Sequence, residues 1–516
     1  MVQLAIEEYI FIYRRFSMGK LLAGWAETSL VPDKKVRLMG QFFERISEYV
    51  ETPVTATALA LSDGSEHVVF CSCDLEGVYI PLVKRVRSRL SGIDGLDPEK
   101  VILSATHDHT SLQYTVSEGG EISSLDVLRR YLPADRDYAE KVTADDSVMS
   151  DGEALEFLAD RIAEVVRTAW SKLSPAYMQP AFGRAAIGMC RRTCYDDGSA
   201  KMWGDTDSAN FTALEGGNDS GIELIYLFDE EKHITGIVAN VACPAQIVEQ
   251  RSYISSDYWG KVKSRLRDTF GQGLFLLGLC APAGDQCPRD MIRWVQPETP
   301  IDDPNVIRTN PHRRNADPSM FDVKGTWTVG RRIASEIEAV FDETDMSGLC
   351  NDIPLCHEII DLALPLRRVT VAERDDAEKN LREYIKNSEK TVFDYSDSAA
   401  MHVYAGTMAR YEQQQRQDLH HAEIHILRIG NIAFATNPFE LFLDFGNVIR
   451  ARSFAQQTFL IQLACGNDAY LPTEKAEKGG HYSAYVSSGV VGHEGGDLLV
   501  RTTVSGINEM FSGGDK

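Results

Sequence analysis

The chain has no Cys-x-x-Cys pair among its ten cysteines, no fixed-period repeat and no low-complexity tract. Without close-set thiol pairs there is no compact zinc finger to read, and the cysteines are expected to be reduced thiols. Cys71 and Cys73 are one residue apart, but they lie inside an apolar run and need only burial. No stretch approaches the roughly eighteen consecutive apolar residues of a membrane-spanning helix. The first residues also lack the unbroken apolar core and small-residue cleavage site of an export signal. Leu4 to Ile12 is interrupted by Glu7 and Glu8 and followed by Arg14 and Arg15, so residues 1–19 read as an N-terminal extension and the protein as cytoplasmic. Basic residues are in the minority: 53 Lys and Arg face 76 Asp and Glu, a net charge of −23. Such a surface repels nucleic acid and anionic membranes, which leaves a small-molecule substrate as the expected partner. Nothing in the sequence specifies an oligomeric state.

What is present is enough apolar residue, 43% of the chain, for a large core. His67 to Cys73 reads as a buried strand, Ile80 to Leu90 as a helix by its apolar spacing, and Val101 to Leu103 as a second strand. That order implies a parallel pair joined by a crossover helix. Further along, Leu155 to Ala169 and Ser256 to Phe270 are helical, and Ile234 to Ala242 and Leu274 to Cys280 are strands. Trp327 to Phe341 is another helix, and Thr370 to about Leu419 reads as one or two exposed, charge-rich helices with His420 and His421 solvated at their end. Strands Ile424 to Ile429, Ile432 to Thr436 and one through Leu460 and Leu463 follow. The fold class is α/β (α+β): mixed sheets with flanking helices and the active site at strand ends. One domain is expected over residues 20–516, with insertions near 116–150 and 370–420, the first lying over a pocket mouth.

Polar, chemistry-bearing loops follow the apolar strands. Ser104-Ala105-Thr106-His107-Asp108-His109-Thr110-Ser111 ends one, and side-chain alternation along extended backbone would put both imidazoles on one face. Cys243-Pro244-Ala245-Gln246, Gly284-Asp285-Gln286-Cys287-Pro288-Arg289, Asn437-Pro438-Phe439-Glu440 and Gly466 to Thr473 end others. Strand ends on a common edge are where open α/β sheets place their sites. Together the loops offer imidazole, thiolate, carboxylate and phenol, the donor types that zinc prefers.

In their order these segments resemble the neutral/alkaline non-lysosomal ceramidase N-terminal domain family. The resemblance runs from about Leu21 to Val500. It includes Gly24 to Pro32, Asp74, the His107 loop, Arg191-Arg192, Ser255-Ser256-Asp257-Tyr258-Trp259-Gly260, and the Asp285, Glu440 and Tyr470 loops. It implies a zinc ion held by His107, Glu440 and Tyr470, with His109 as the neighbouring proton shuttle or oxyanion donor. The second zinc-binding histidine of the family belongs to a His-Pro motif that here reads Ala242-Cys243-Pro244. Cys243 therefore either replaces that ligand as a thiolate or is simply buried. Cys287 stands where the family has a serine, as a conceivable nucleophile.

Arg191, Arg192 and Arg289 are candidates for holding a substrate carboxylate or phosphate, or for ordinary ion pairs. Tyr482 is a candidate for lining the pocket, and Asp285 for catalysis, for orienting a histidine or for capping a turn. The polar insertion near Glu118 and Asp135, and a sequence that shows no export signal, point to a substrate smaller and more polar than ceramide. The expected activity is a zinc-dependent, amidase-like hydrolysis of a small polar or glycan-derived substrate. The alternatives are a metal-independent acid/base hydrolase or lyase on the same fold, and a non-catalytic binding protein.

Overall fold

Alternation along the strands sets the layering of the molecule. The computed structural model describes residues 19–41, 43–115, 122–138, 145–293 and 322–512, so all but Gly19 of the expected extension lies outside the described residues. The first sheet contains β1 (Leu22–Ser29), β2 (Thr55–Ser62), β3 (His67–Cys73) and, after helix α1 (Ile80–Leu90), β4 (Val101–Ala105), in the order β4-β3-β2-β1. In β2, Leu59 and Leu61 point one way and Ala56, Ala58 and Ala60 the other. The alanine face packs beneath α1 and α2 (Asp151–Ser171), whose Leu155, Leu158, Ile162 and Val166 are fully buried.

The second sheet repeats the plan with β5 (Tyr177–Cys190), β6 (Asp219–Phe228), β7 (Ile234–Val241), helix α3 (Asp257–Phe270) and β8 (Phe275–Cys280), in the order β8-β7-β6-β5. Helices α3 and α4 (Asp322–Glu343) cover its outer face. The third has β9 (Leu355–Pro365), β10 (Leu419–Ile429), β11 (Ile432–Thr436), helix α5 (Leu443–Arg452) and β12 (Gln457–Ile461), covered by α5 and α6 (His493–Ser512). In each sheet the consecutive ladders are antiparallel except the last. The pairs β3/β4, β7/β8 and β11/β12 are parallel, each joined through a helix. The parallel pair expected at residues 67–105 is therefore one of three.

The inner faces of the three sheets meet in a shared core. Phe70 and Ile102 come from the first sheet, Leu277 and Leu279 from the second, and Phe434 and Phe459 from the third. The rings of Phe434 and Phe459 stack at 4.5 Å, and Phe70 tilts against Phe434 at 4.9 Å. The parallel edges are stitched together beyond this core. Cys465 N donates to Leu103 O at 2.8 Å, Gln462 N to Cys280 O at 3.0 Å, and Asn240 Nδ2 to Leu460 O at 3.0 Å. The carboxyl ends of β4, β7, β8, β11 and β12 are thus held at one place, where the polar loops begin.

The expected insertions pack on one another. Val127 and Leu128 of helix Ser124–Tyr131 are buried with Leu381, Phe393, Met401 and Ala405 from the region 370–420, which forms two helices, Val371–Asn387 and Tyr395–Gln413. Those helices are therefore only partly exposed; residues 116–121 and 139–144 of the first insertion lie outside the described residues. His420 and His421 begin β10 rather than ending a helix, and His420 Nε2 lies 2.7 Å from Asp468 Oδ2. No helix among the described residues is long and apolar enough to cross a membrane.

On β9 and β10, His357 Nε2 meets His425 Nδ1 at 2.8 Å, and His425 Nε2 meets Glu423 Oε1 at 2.8 Å. Arg87 of α1 donates to both Glu423 oxygens, at 2.6 and 2.9 Å, which fixes α1 to the third sheet. Burial, reinforced by His425, lowers the His357 imidazole from 6.5 to about 3, so the native state holds it neutral. Its contribution to stability is complete above about pH 6.5 and is lost as the pH falls toward 3, because only the unfolded chain binds the proton. Urea unfolding from about pH 8 to 4 is expected to lose up to about 1.4 kcal/mol per pH unit below 6.5 from this group. That slope is expected to flatten in His357→Gln, and an unchanged slope in the variant contradicts the assignment.

Candidate active site

The His107 loop is laced to its neighbours through the backbone. Thr106 N donates to Cys73 O at 3.0 Å, Asp108 N to Leu75 O at 2.8 Å, and His109 N to Ala245 O at 3.1 Å. β4 ends at Ala105, so strand alternation does not aim the two imidazoles; His107 instead adopts a left-handed φ of 59°, and the turn brings the rings together edge to face at 4.7 Å. His107 Nδ1 lies 2.7 Å from Glu76 O, and a carbonyl only accepts, so that nitrogen carries its proton and Nε2 is directed at Glu440 Oε2, 3.2 Å away. Burial lowers the His107 imidazole, but the Glu440 carboxylate more than offsets this and raises it to about 9.

Glu440 and Tyr470 are direct neighbours in a short parallel ladder, and Glu440 N donates to Ala469 O at 2.8 Å. Gln462 fixes this ladder to the Asp285 loop: its Oε1 accepts from Ala283 N at 2.9 Å and Leu441 N at 3.2 Å. The Tyr470 hydroxyl is 3.4 Å from Arg191 Nη2 and 3.4 Å from the Tyr482 hydroxyl. Arg191 is buried, donates to Gln246 Oε1 at 3.2 Å and Gly284 O at 3.1 Å, and lies over the Trp203 ring at 5.6 Å. Its Nε has no partner among the described residues, and no carboxylate pairs with it directly. Gln246 Nε2 in turn donates to Glu249 Oε2 at 3.2 Å, and that oxygen is 3.4 Å from His109 Nδ1. Burial raises the Glu249 carboxyl to about 7 against the pull of Arg191 and Arg45.

His107, His109, Glu440, Tyr470, Arg191 and Tyr482 are thus brought together, and the remaining expected site residues have other partners. Cys243 is fully buried in the core under α3, with its Sγ 3.7 Å from Pro244 O and its carbonyl accepting from Tyr258 Oη at 2.6 Å. It does not join His107 and Glu440 in any group of ligand atoms within 4.8 Å of one another. The Cys287 thiol donates to Arg289 O at 3.3 Å, and burial pushes it up to about 12, so it is neither a thiolate nor paired with a base. The Asp285 carboxylate accepts from Leu443 N at 2.9 Å at the start of α5, which makes it a cap; burial raises it to about 6. Arg192 forms a two-pronged ion pair with Glu215 at 2.8 and 2.9 Å and donates to the carbonyls of Gly480 and Tyr482. It therefore holds the loop that carries Tyr482. Arg289 is buried with its guanidinium over Trp203 at 5.5 Å, the ring that Arg191 also covers.

Among the described residues, the one group of three His, Cys, Asp or Glu ligand atoms within 4.8 Å of each other is elsewhere: Glu423, His425 and Cys465. Arg87 already supplies its positive charge, donating to Glu423 and, at 3.6 Å, to Cys465 Sγ.

No protein-family model matches the chain, and no curated protein matches it. Solved structures do. A neutral ceramidase from Pseudomonas aeruginosa aligns with a TM-score of 0.60 and 14% identity, over 96% of this chain and 75% of that one. The fold is that of the neutral ceramidases. A ceramidase complexed with C2 aligns with a TM-score of 0.63 and 12% identity, over 96% of this chain and 76% of that one. Of the residues that the family resemblance offers to a zinc, His107 and Glu440 meet directly and Tyr470 adjoins Glu440 in the ladder. His107 Nδ1 is fixed by Glu76 O, His107 Nε2 lies 3.2 Å from Glu440 Oε2, and Tyr470 is the ladder partner of Glu440. Tetrahedral zinc spaces its oxygen and nitrogen donors about 3.3 Å apart, so the first pair fits. Cys243, whose thiol burial keeps protonated, does not belong to the set.

Gln246, Glu249, Glu76 and Gly40 were not legible as site residues in the sequence. The one signal was that Gln246 and Glu249 follow the Cys243 turn directly. Gly40 has φ 100° and its carbonyl lies 3.0 Å from His109 Nδ1; a Cβ there would stand 2.7 Å from the His109 ring. Gly40→Ala is expected to cost about 1–3 kcal/mol in urea unfolding and to shift the hydrogen-bonded His109 Nδ1–H proton resonance. Wild-type values of both would mean that Gly40 does not position His109.

Proposed function

We propose that the chain is a hydrolase that cleaves an amide or related bond in a small polar or glycan-derived substrate rather than in ceramide, using a zinc ion held by His107, Glu440 and Tyr470. The observation that carries this reading is the 3.2 Å approach of His107 Nε2 to Glu440 Oε2, with Tyr470 on the adjoining strand. Three protein donors with a position left open are what a catalytic zinc requires. Zinc held there supplies Lewis acidity toward a carbonyl and a water of lowered pKa.

The chain's own residues supply the rest. Arg191, which touches the Tyr470 hydroxyl, is placed to stabilise negative charge on a substrate oxygen, and no carboxylate lies within ion-pair distance of its guanidinium among the described residues. Glu249, at about 7, takes and releases a proton near neutral pH. Tyr482, 37% exposed, leads from Tyr470 to the surface, and with Gln246 and Glu249 it makes a polar approach that suits a polar substrate. The 3.2 Å contact also favours a second reading, a metal-free acid/base hydrolase or lyase, because Glu440 holds His107 as a cation at neutral pH without a metal.

A panel of N-acyl amino sugars, N-acyl amino acids and short amides, assayed for released amine, tests the reading. On any substrate turned over, His107→Ala is expected to lower kcat/KM at least about 100-fold, and full activity in that variant sinks the proposal. Arg191→Met is expected to lower kcat about 100-fold with a smaller change in KM; a change in KM alone would assign Arg191 to substrate binding. Chelation should abolish turnover and zinc restore it, whereas turnover that survives chelation selects the metal-free reading.

A further inference from the structure

A cleft of about 390 Å³ opens between the second and third sheets, at the amino end of β12. None of its lining residues belongs to the candidate active site, whose loops leave the other end of that strand. Phe182 of β5 and Glu223 of β6 are direct partners across their ladder, so the ring and the carboxylate stand side by side on one face. Gln457 of β12 crosses to them, its Nε2 donating to the Glu223 carboxylate and, at 2.8 Å, to Ala181 O. Arg450 of α5 donates to Asp219 Oδ2 at 3.1 Å, while its Nε stays 3.8 Å from Glu223 Oε1, beyond hydrogen-bond reach. Glu223 Oε1 and Gln457 Oε1 are therefore acceptors without a donor among the described residues, although Glu223 is only 8% exposed. Leaving such acceptors unmet is costly unless something else supplies the donors.

The rim of the cleft is aromatic. Phe182 is 45% exposed even with the Arg184 guanidinium over its ring at 5.0 Å, and Phe454, next in sequence to the lining residue Ala455, is 67% exposed. Apolar walls with a few placed polar groups characterise small-molecule sites, and the volume falls in their range of about 300–1,000 Å³. Asp219 and Glu223 face Arg184 and Arg450, so the charges balance and select neither a cation nor an anion. The free acceptors call for O–H donors, and the rings for a flat array of C–H groups; a sugar offers both. We propose that this cleft binds a short neutral oligosaccharide, with Glu223 and Gln457 accepting from its hydroxyls and Phe182 stacking on a pyranose face. The site serves recognition, carries no chemistry of its own, and does not depend on the hydrolase reading above.

Titration of the full chain, carrying carbon-13 at its alanine methyl groups, tests this with cellotriose, maltotriose and tri-N-acetylchitotriose as probes. At least one is expected to shift the methyl signals of Ala181 and Ala455, both in the cleft wall, with a Kd of about 1 mM or tighter. Phe182→Ala and Glu223→Gln are each expected to weaken that affinity about 10-fold, through the lost stacking surface and the lost charged acceptor. No shift at Ala181 and Ala455 with any of the three sugars up to about 20 mM overturns the proposal. So do shifts confined to Ala245 and Ala469, whose carbonyls bond to His109 N and Glu440 N, and so does wild-type affinity in both folded variants. A response of the cleft to spermidine with none to the sugars assigns its acceptors to a cation and overturns it equally. Because the methyl signals are read on the wild type, they decide the matter even where a variant fails to fold.

Discussion

The hydrogen bonds that tie β4, β8 and β12 edge to edge are the constraint on which the site depends. Each of these strands is the outer member of a parallel pair, and a parallel edge left bare would expose its donors and acceptors. Here Cys465 N and Gln462 N, just beyond β12, bond to β4 and β8, and Asn240 Nδ2 of β7 bonds to β12. The same bonds fix where the chain leaves each sheet, and the imidazoles, Glu440 and Tyr470 are set down within a few ångströms as a result. Three sheets that individually bury one helix-covered face acquire a shared inner core of Phe70, Leu277, Phe434 and their neighbours, and the loops at its rim inherit that rigidity.

Much of the frame was legible in the sequence because its signals are local. The apolar runs at His67–Cys73, Ile234–Val241 and Phe275–Cys280 are strands, and the 3.6-residue spacing in Ile80–Leu90 and Asp151–Ser171 makes helices. The polar loops after them do meet at one end. Pairing over long separations was not legible: nothing local tells β10 to pair with β9 across two intervening helices, or residues 124–131 to seek burial against 371–413. The same limit applies to the site. His107, Glu440 and Tyr470 stand at strand ends where chemistry could be looked for, whereas Gln246, Glu249 and Gly40 acquire their roles only from what the fold sets beside them.

The residues that changed role did so for one reason, the cost of burying an unpaired polar group. Asp285 is spent on the first amide of α5, Cys287 stays protonated, and Arg192 is neutralised by Glu215. Arg191 differs because its hydrogen-bond partners are carbonyl, amide and phenol oxygens, so its charge is not cancelled by a bonded carboxylate. A glance at composition would treat these arginines alike; their partners separate them.

Arg191 and Arg192 follow one another in the chain and leave it on opposite sides, one toward Tyr470 and the other toward Glu215 and the 476–483 turn. Their order is therefore information. Deleting one residue at the end of β5 would put Arg192 in the place of Arg191 and Thr193 opposite Glu215, whereas inserting one would put Arg191 opposite Glu215 and leave the site without its guanidinium. This stretch of backbone can vary in side chain but not in length, and related chains should differ here by substitution and never by a gap.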